Sequence, residues 1–184
     1  RVVDAGGVRH VFVSNVTGGS PVDGLDFERQ ATSMFLQAEA ALRLEGLSFR
    51  DVVRTWIYLA DIDRDYAALN DVRRQFFASR GVLPAPASTG IGGVPDPPDR
   101  ACGLDLRAIA RGGAVQVRPI GAASMCEAPS YGSDFSRGMR VDFPDRSVIY
   151  VSGTASIDTE GQVVHVGNIE DQVERMLVNV EQVL

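Results

Sequence analysis

The chain has 184 residues, 45% of them apolar and 23% charged, with a formal charge of −6 and a pI near 4.9. That length is one ordinary domain, or one domain and part of another, and no uncharged apolar run approaches the ~20 residues that span a bilayer. All eighteen cationic residues are arginine, which excludes a lysine Schiff base, a P-loop lysine and a lysine general base.

No basic block exceeds Arg73-Arg74, so the concentrated cationic face that nucleic-acid binding requires is not visible. Cys102, Cys126, His10 and His165 are the only residues of their two types. Their spacing fits neither a zinc site nor a Ser-His-Asp set, and the expectation is a protein without metal or cofactor. Asn15-Val16-Thr17 fits the glycosylation pattern, a three-residue match that chance supplies. The chain reads as cytoplasmic, with both thiols reduced and buried as small apolar groups.

In chain order, residues 10–14 form a short apolar run ending in the turn-prone Gly18-Gly19-Ser20-Pro21, hence a strand. Phe27, Ala31, Met34, Phe35, Ala38 and Leu42 then make one stripe of a helix that Gly46 stops. Residues 52–60 are β-branched and aromatic. Alternation puts Val53, Thr55, Ile57 and Leu59 on one face and Val52, Arg54, Trp56 and Tyr58 on the other. A second helix starts near Asp63 as N-cap, buries Tyr66, Leu69, Val72 and Phe76, and ends at Gly81 and Pro84. Strands at 87–92 and 102–110 follow, separated by a proline-rich loop. The order β-α-β-α-β-β predicts an α+β fold, a mixed sheet with two helices packed on one face.

The pattern then restarts. Val148 to Ser152 repeats the first strand, and residues 168–184 repeat 26–42 at an offset of 142. Five of these seventeen positions are identical: Glu28/Glu170, Gln30/Gln172, Met34/Met176, Glu39/Glu181 and Leu42/Leu184. The stripe Ile169, Val173, Met176, Leu177, Val180, Leu184 matches the earlier apolar face. We read an internal duplication, with residues 1–120 a complete unit and 121–184 the opening strand and helix of a second. A lone strand and helix cannot bury their apolar faces by themselves, so these should lean on the first unit or on another chain.

The run Val52-Val53-Arg54-Thr55-Trp56-Ile57-Tyr58-Leu59-Ala60-Asp61, followed by Tyr66-Ala67-Ala68-Leu69-Asn70 and Phe76-Phe77, resembles the RidA (YjgF, L-PSP endoribonuclease-like) superfamily. Pro86-Ala87 and Leu106 to Ala110 stand where that family has its last strands, and Ser152-Gly153-Thr154 is similar to its Ser-Gly-Gln turn. Two units in tandem, with Phe135-Ser136-Arg137 in the second, most resemble its chorismatase branch, two-domain relatives that cleave pyruvate from chorismate. The resemblance implies trimer-like packing of units with clefts between neighbours. It also implies an arginine that grips a substrate carboxylate and an acid or bound water that handles a proton, as a guanidinium fork and a carboxyl of raised pKa can.

Carried over residue by residue, the first unit departs from the pattern: Ser88 stands at the substrate arginine, Gly90 at a small cysteine, and Asp105 at the acid. Arg100 lies too near the final strand unless the preceding loop is misaligned, and Ser14-Asn15 replaces Ser-Gly. The second unit keeps one side of a pocket, made of Tyr131, Phe135, Arg137, Ser152, Gly153, Thr154 and Ala155. The opposite side is expected from residues after Leu184. Asp105 is the candidate acid. Arg54, Trp56 and Tyr58 are expected at an interface between subunits.

Two functions follow. One is a lyase or hydrolase acting on a small anionic enol ether, enamine or imine, inactive as this stretch alone. The other is a non-catalytic oligomer that binds small carboxylates. Ribonuclease activity is disfavoured by charge and by the lack of a paired acid and base.

Overall fold

The computed structural model describes residues 1–20 and 24–184, the side chain of Tyr131 excepted. Pro21 of the expected turn therefore lies outside the described residues. Two strands open the chain, β1 (Val2–Ala5) and β2 (Val8–Thr17). The helix α1 (Phe27–Leu44) follows, its N-terminus capped by Asp26, which accepts the Arg29 N–H at 3.0 Å. Strand β3 (Val52–Leu59) leads to helix α2 (Ile62–Arg80), then strands β4 (Ala87–Gly92) and β5 (Cys102–Ile109). The N-cap of α2 is Asp61, not Asp63, which falls in the first turn. Gly81 at φ 58° ends α2 in the left-handed conformation that glycine adopts without penalty.

These strands form one sheet in the order β1-β2-β5-β3-β4, antiparallel except for the parallel pair β3–β4. As expected of an α+β unit, both helices cover one face. Between sheet and helices lies a core that includes Ala31, Met34, Phe35, Leu42, Ile57 and Leu69. Phe35 stacks on Phe76 at 5.1 Å, and Phe49 meets Phe76 edge-on at 4.9 Å. Strict alternation along β3 fails at its start. The register with β5 slips between Val52 and Arg54, a bulge that leaves Val53 unopposed. Val52 consequently joins the helix-side core and Val53 the opposite one, the reverse of the expected assignment.

A second sheet, β6-β7-β8, is built from β6 (Gln116–Ile120), β7 (Gly138–Asp142) and β8 (Ser147–Val151). Met139, Val141 and Phe143 pack it against Val53, Ala87 and Ile109, on the face of the first sheet that the helices leave open. The sequence reading anticipated β8 alone; β6 carries Pro119, and β7 is five residues beginning in glycine, too short for its alternation to stand out. Helix α3 (Ile169–Glu181) is capped by Asn168, which accepts the Asp171 N–H at 3.3 Å. Asp26 holds the equivalent position in the repeat.

The two matched helices differ in what they bury. The α1 stripe is fully buried from Ala31 to Leu42, and Phe27 at its start is half-buried. In α3, Ile169, Val173 and Leu177 are 70%, 41% and 53% exposed. What pins α3 is its polar edge: Asn179 donates to the carbonyls of Ala155 and Ile157, and Arg175 to those of Ile157 and Ser124. Among the described residues, no helix is long and apolar enough to cross a membrane, and no group of three or more His, Cys, Asp or Glu is placed to hold a metal.

Candidate functional site

The seam between the two sheets is built on β4. Its Ala87 forms a parallel bridge with Ser136. The Ser88 N–H donates to Ser152 Oγ at 2.8 Å, and the Gly153 N–H donates back to the Ser88 carbonyl at 3.1 Å. Ser152 Oγ in turn donates to the Ser136 carbonyl at 2.5 Å. One hydroxyl thus joins β4 to the two segments of the second unit that resemble family motifs.

This seam opens into a cleft of about 430 Å³. One wall is Phe135, Arg137, Gly153, Thr154 and Ala155; the other is Ser88, Thr89 and Gly90 of β4 with Tyr66 and Arg73 of α2. Gly153 is required by the approach of the walls, because a Cβ there would stand 2.7 Å from Thr89 Cγ2. Gly90 serves the same end across the sheet, where a Cβ would come within 3.1 Å of the Tyr66 ring.

Two guanidinium groups define the electrostatics. Arg137 donates through Nε and Nη2 to the Cys126 carbonyl at 2.9 and 2.6 Å, which fixes its plane. Arg73 donates to Asn70 Oδ1 and lies 3.5 Å from Ser88 Oγ. Their Cζ atoms stand 5.5 and 5.8 Å from the same Phe135 ring, a cation–π arrangement that stabilises charge removed from water. Both arginines are 3% exposed. No carboxylate is among the described lining residues, so the cleft presents cationic and hydroxyl groups to an occupant.

Of the residues singled out from sequence, Phe135, Arg137, Gly153, Thr154 and Ala155 come together in this cleft. Ser152 sits behind the lining, its hydroxyl committed to the seam. The side chain of Tyr131 lies outside the described residues. The wall that faces them here comes from the first unit, because the Ser136 N–H donates to the Pro86 carbonyl just before β4 and the Gly153 N–H to the Ser88 carbonyl within it.

Asp105 is elsewhere. Paired with Trp56 across β5 and β3, it faces a separate cavity of about 280 Å³ shared with Asn15 and Tyr58. Its Oδ1 accepts the Asn15 N–H at 2.7 Å, and Tyr58 Oη lies 3.4 Å from its Oδ2. Those partners make it a clamp on the chain and separate it from the cleft chemistry. Arg100 also stands apart, 3.4 Å from Asp99. Arg54, expected at a subunit interface, is buried against Trp56 at 4.6 Å and donates to Thr89 Oγ1, behind the cleft. Burial lowers its pKa to about 10, which still leaves it charged at neutral pH.

Sequence reasoning missed Arg73. The signal was present: Leu69, Arg73 and Phe76 follow the helical repeat, which puts an arginine on the buried stripe of α2. Its approach to Ser88 brings a guanidinium to the strand position where the family resemblance expects one, from a different element.

The sequence model of the family described as Endoribonuclease L-PSP matches residues 7–102. A RutC family protein of Aquifex aeolicus (strain VF5) is 28% identical over 88 residues, which are 46% of this chain and 70% of that protein. Among solved structures, a chorismatase superposes with a TM-score of 0.71 at 23% identity, covering 98% of this chain. The chain spans 54% of the chorismatase's own length. TdcF of E. coli, solved with bound serine, gives a TM-score of 0.50 at 24% identity over 60% of this chain and 86% of its own. A YjgF family member from Neisseria meningitidis gives 0.51 at 23%, over 61% and 87%. The chain belongs to the Endoribonuclease L-PSP family, the RidA/YjgF superfamily, and shares the fold of a chorismatase along nearly its whole length.

Proposed function

We propose that this chain is the first unit and the opening of the second unit of a tandem RidA-superfamily enzyme, a lyase or hydrolase acting on a small anionic enol ether, enamine or imine with release of pyruvate. The observation that carries the reading is the pair Arg73 and Arg137, both buried and both within 6 Å of the Phe135 ring, in a cleft with no carboxylate among its described lining residues. Such a site attracts a carboxylate, and two guanidinia suit a substrate carrying two. The apolar stripe of α3, exposed where its match in α1 is buried, supports the division into units.

The chemistry is a net addition of water. A proton adds to the enol-ether CH₂ carbon, water adds to the resulting oxocarbenium carbon, and the hemiketal collapses to pyruvate and an alcohol. The arginines hold the pyruvyl carboxylate and a second carboxylate, while Tyr66, Ser88 and Thr89 supply hydroxyls along the wall. The proton donor for carbon is not assigned to any described cleft residue.

The test is titration calorimetry of the 184-residue chain with chorismate, alongside a pyruvate-release assay. Binding without turnover is expected. Arg137→Gln or Arg73→Gln should each weaken binding roughly 10- to 100-fold, the scale of one charge-assisted pairing. Unchanged affinity in both variants overturns the reading. Pyruvate release by this stretch alone would place the proton donor among its own residues and overturn the expectation of binding without turnover.

A second reading is favoured by the carboxylate-free lining itself: a binding module of the same superfamily that holds small carboxylates without turnover. The bound serine of TdcF fits that reading as well. Pyruvate release by a longer protein containing this chain, abolished by Arg137→Gln, would exclude it.

A further inference from the structure

Strand β3 stands behind the β4 wall of the cleft, and the register of the parallel pair decides which side chains back that wall. Thr55 is set beside Ser88 and Trp56 beside Thr89, with Arg54 one place earlier beside Ala87. Thr55 Oγ1 donates to Ser88 Oγ at 2.8 Å, and Arg54 Nη2 donates to Thr89 Oγ1. Both β4 hydroxyls are therefore acceptors toward β3.

Arg54 is 7% exposed. Its Nη1 donates to the Thr55 carbonyl at 3.1 Å, and its Cζ lies 4.6 Å from the Trp56 ring. Among the described residues it makes no ion pair. A charge buried without a counter-ion is costly, and an aromatic face offsets only part of that cost. Packing alone does not call for a cation here, since an apolar side chain of similar length would fill the same space.

The guanidinium has one consequence at the cleft that an apolar side chain would not. Its N–H groups offer no acceptor, so Thr89 Oγ1 can only accept from it. The hydroxyl proton must then go elsewhere. Among the described residues, Arg54 is the single hydrogen-bond partner of Thr89 Oγ1. Thr89 lines the cleft, which leaves that proton to an occupant. A hydroxyl that accepts from a cation is polarised into a better donor.

Building on the carboxylate-binding reading of the cleft, we infer that Arg54 is a positioning residue that fixes the Thr89 hydroxyl as a donor to an acceptor oxygen of the bound anion. One wall thereby gains a polarity. The occupant presents a carboxylate, carbonyl or ether oxygen to Thr89, and an ammonium group at that point finds no acceptor.

A double-mutant cycle tests it, with chorismate titrated calorimetrically into the intact chain. Thr89→Val keeps the shape without the hydroxyl and should weaken binding about tenfold, while Thr89→Ser stays within about threefold of the parent. Arg54→Met should also weaken binding about tenfold, but change it little further in the Thr89→Val background. Parent-like affinity of Thr89→Val overturns the proposal, and so does an undiminished loss from Arg54→Met in that background. Where Arg54→Met does not fold, the two Thr89 variants decide, and equal affinities overturn it. Loss in Arg73→Gln and Arg137→Gln with none in Thr89→Val overturns this proposal alone. No loss in either of those arginine variants overturns the cleft reading beneath it, and no chorismate binding by the parent overturns both.

Discussion

Asp105 and Asn15, ninety residues apart in sequence, are joined by a 2.7 Å hydrogen bond from the Asn15 N–H to Asp105 Oδ1. Asn15 has φ 56°, in the left-handed region, and sits where the β2–β5 register slips between Val13 and Val16. The carboxylate therefore accepts a backbone donor that the irregular ladder leaves without its strand partner. Replacing Asp105 by Ala should lower stability by about 1–3 kcal/mol, the cost of stranding such a donor. Urea denaturation would show the reduced midpoint. Calorimetry should show unchanged chorismate affinity at the cleft; a loss there would return Asp105 to the site chemistry.

His10 is held neutral by its setting. Burial lowers its pKa most, followed by the charges of Arg107 on β5 and Arg146 in the β7–β8 turn, with Asp4 on β1 opposing them. Tyr150 of β8 contacts Arg107 from the remaining side. A histidine whose folded pKa is depressed contributes stability that is complete above the ordinary value of about 6.5. That contribution is lost as pH falls through the folded pKa, because the unfolded chain takes up the proton first. Unfolding free energy measured between pH 8 and 5 should therefore decline on the acid side. His10→Phe, which keeps the ring against Phe143, should flatten that decline. An unchanged slope would show that His10 titrates alike in both states.

The first unit was legible because its signals are long. The stripe from Phe27 to Leu42 fixed α1, and the aromatic and β-branched run from Val52 fixed β3. Gly81 marked the end of α2. What stayed hidden depended on contacts between distant segments. The bulge at Val53 follows from the β5 register, and the short strands β6 and β7 are stabilised largely by packing against Val53, Ala87 and Ile109. The site divides the same way. Phe135, Arg137 and the turn after Ser152 carried a local pattern, whereas the wall from β4 and α2 required knowing that Ser88 pairs with Gly153. Arg73 could have been found as a charge on an apolar stripe.

Ser152 tests the seam. Its hydroxyl accepts the Ser88 N–H and donates to the Ser136 carbonyl, in a place 4% exposed. Ser152→Ala leaves a buried N–H unpaired, and the expected loss is about 1–3 kcal/mol. Because the hydroxyl does not line the cleft, affinity should fall only as far as the two walls separate. Exchange of the Ser88 amide, followed by hydrogen–deuterium NMR, should accelerate in the variant. Protection equal to the parent would show that another acceptor serves that N–H.

Gly153 tests the distance between the walls. A Cβ placed there meets Thr89 Cγ2 at 2.7 Å, Oγ1 at 3.1 Å and Cβ at 3.2 Å, so at least one wall must move. Rotating Thr89 away would disturb the hydrogen bond that Arg54 donates to it. Moving the turn would stretch the Gly153–Ser88 bond. Either response displaces groups lining the cleft, and Gly153→Ala should weaken chorismate binding about tenfold or more. Thr89→Ser removes the methyl group that the new Cβ meets most closely, while keeping the hydroxyl for Arg54. The double variant Gly153→Ala/Thr89→Ser should recover much of the affinity. Equal loss in the single and double variants would show that the glycine matters for its backbone and not for the space it leaves to Thr89.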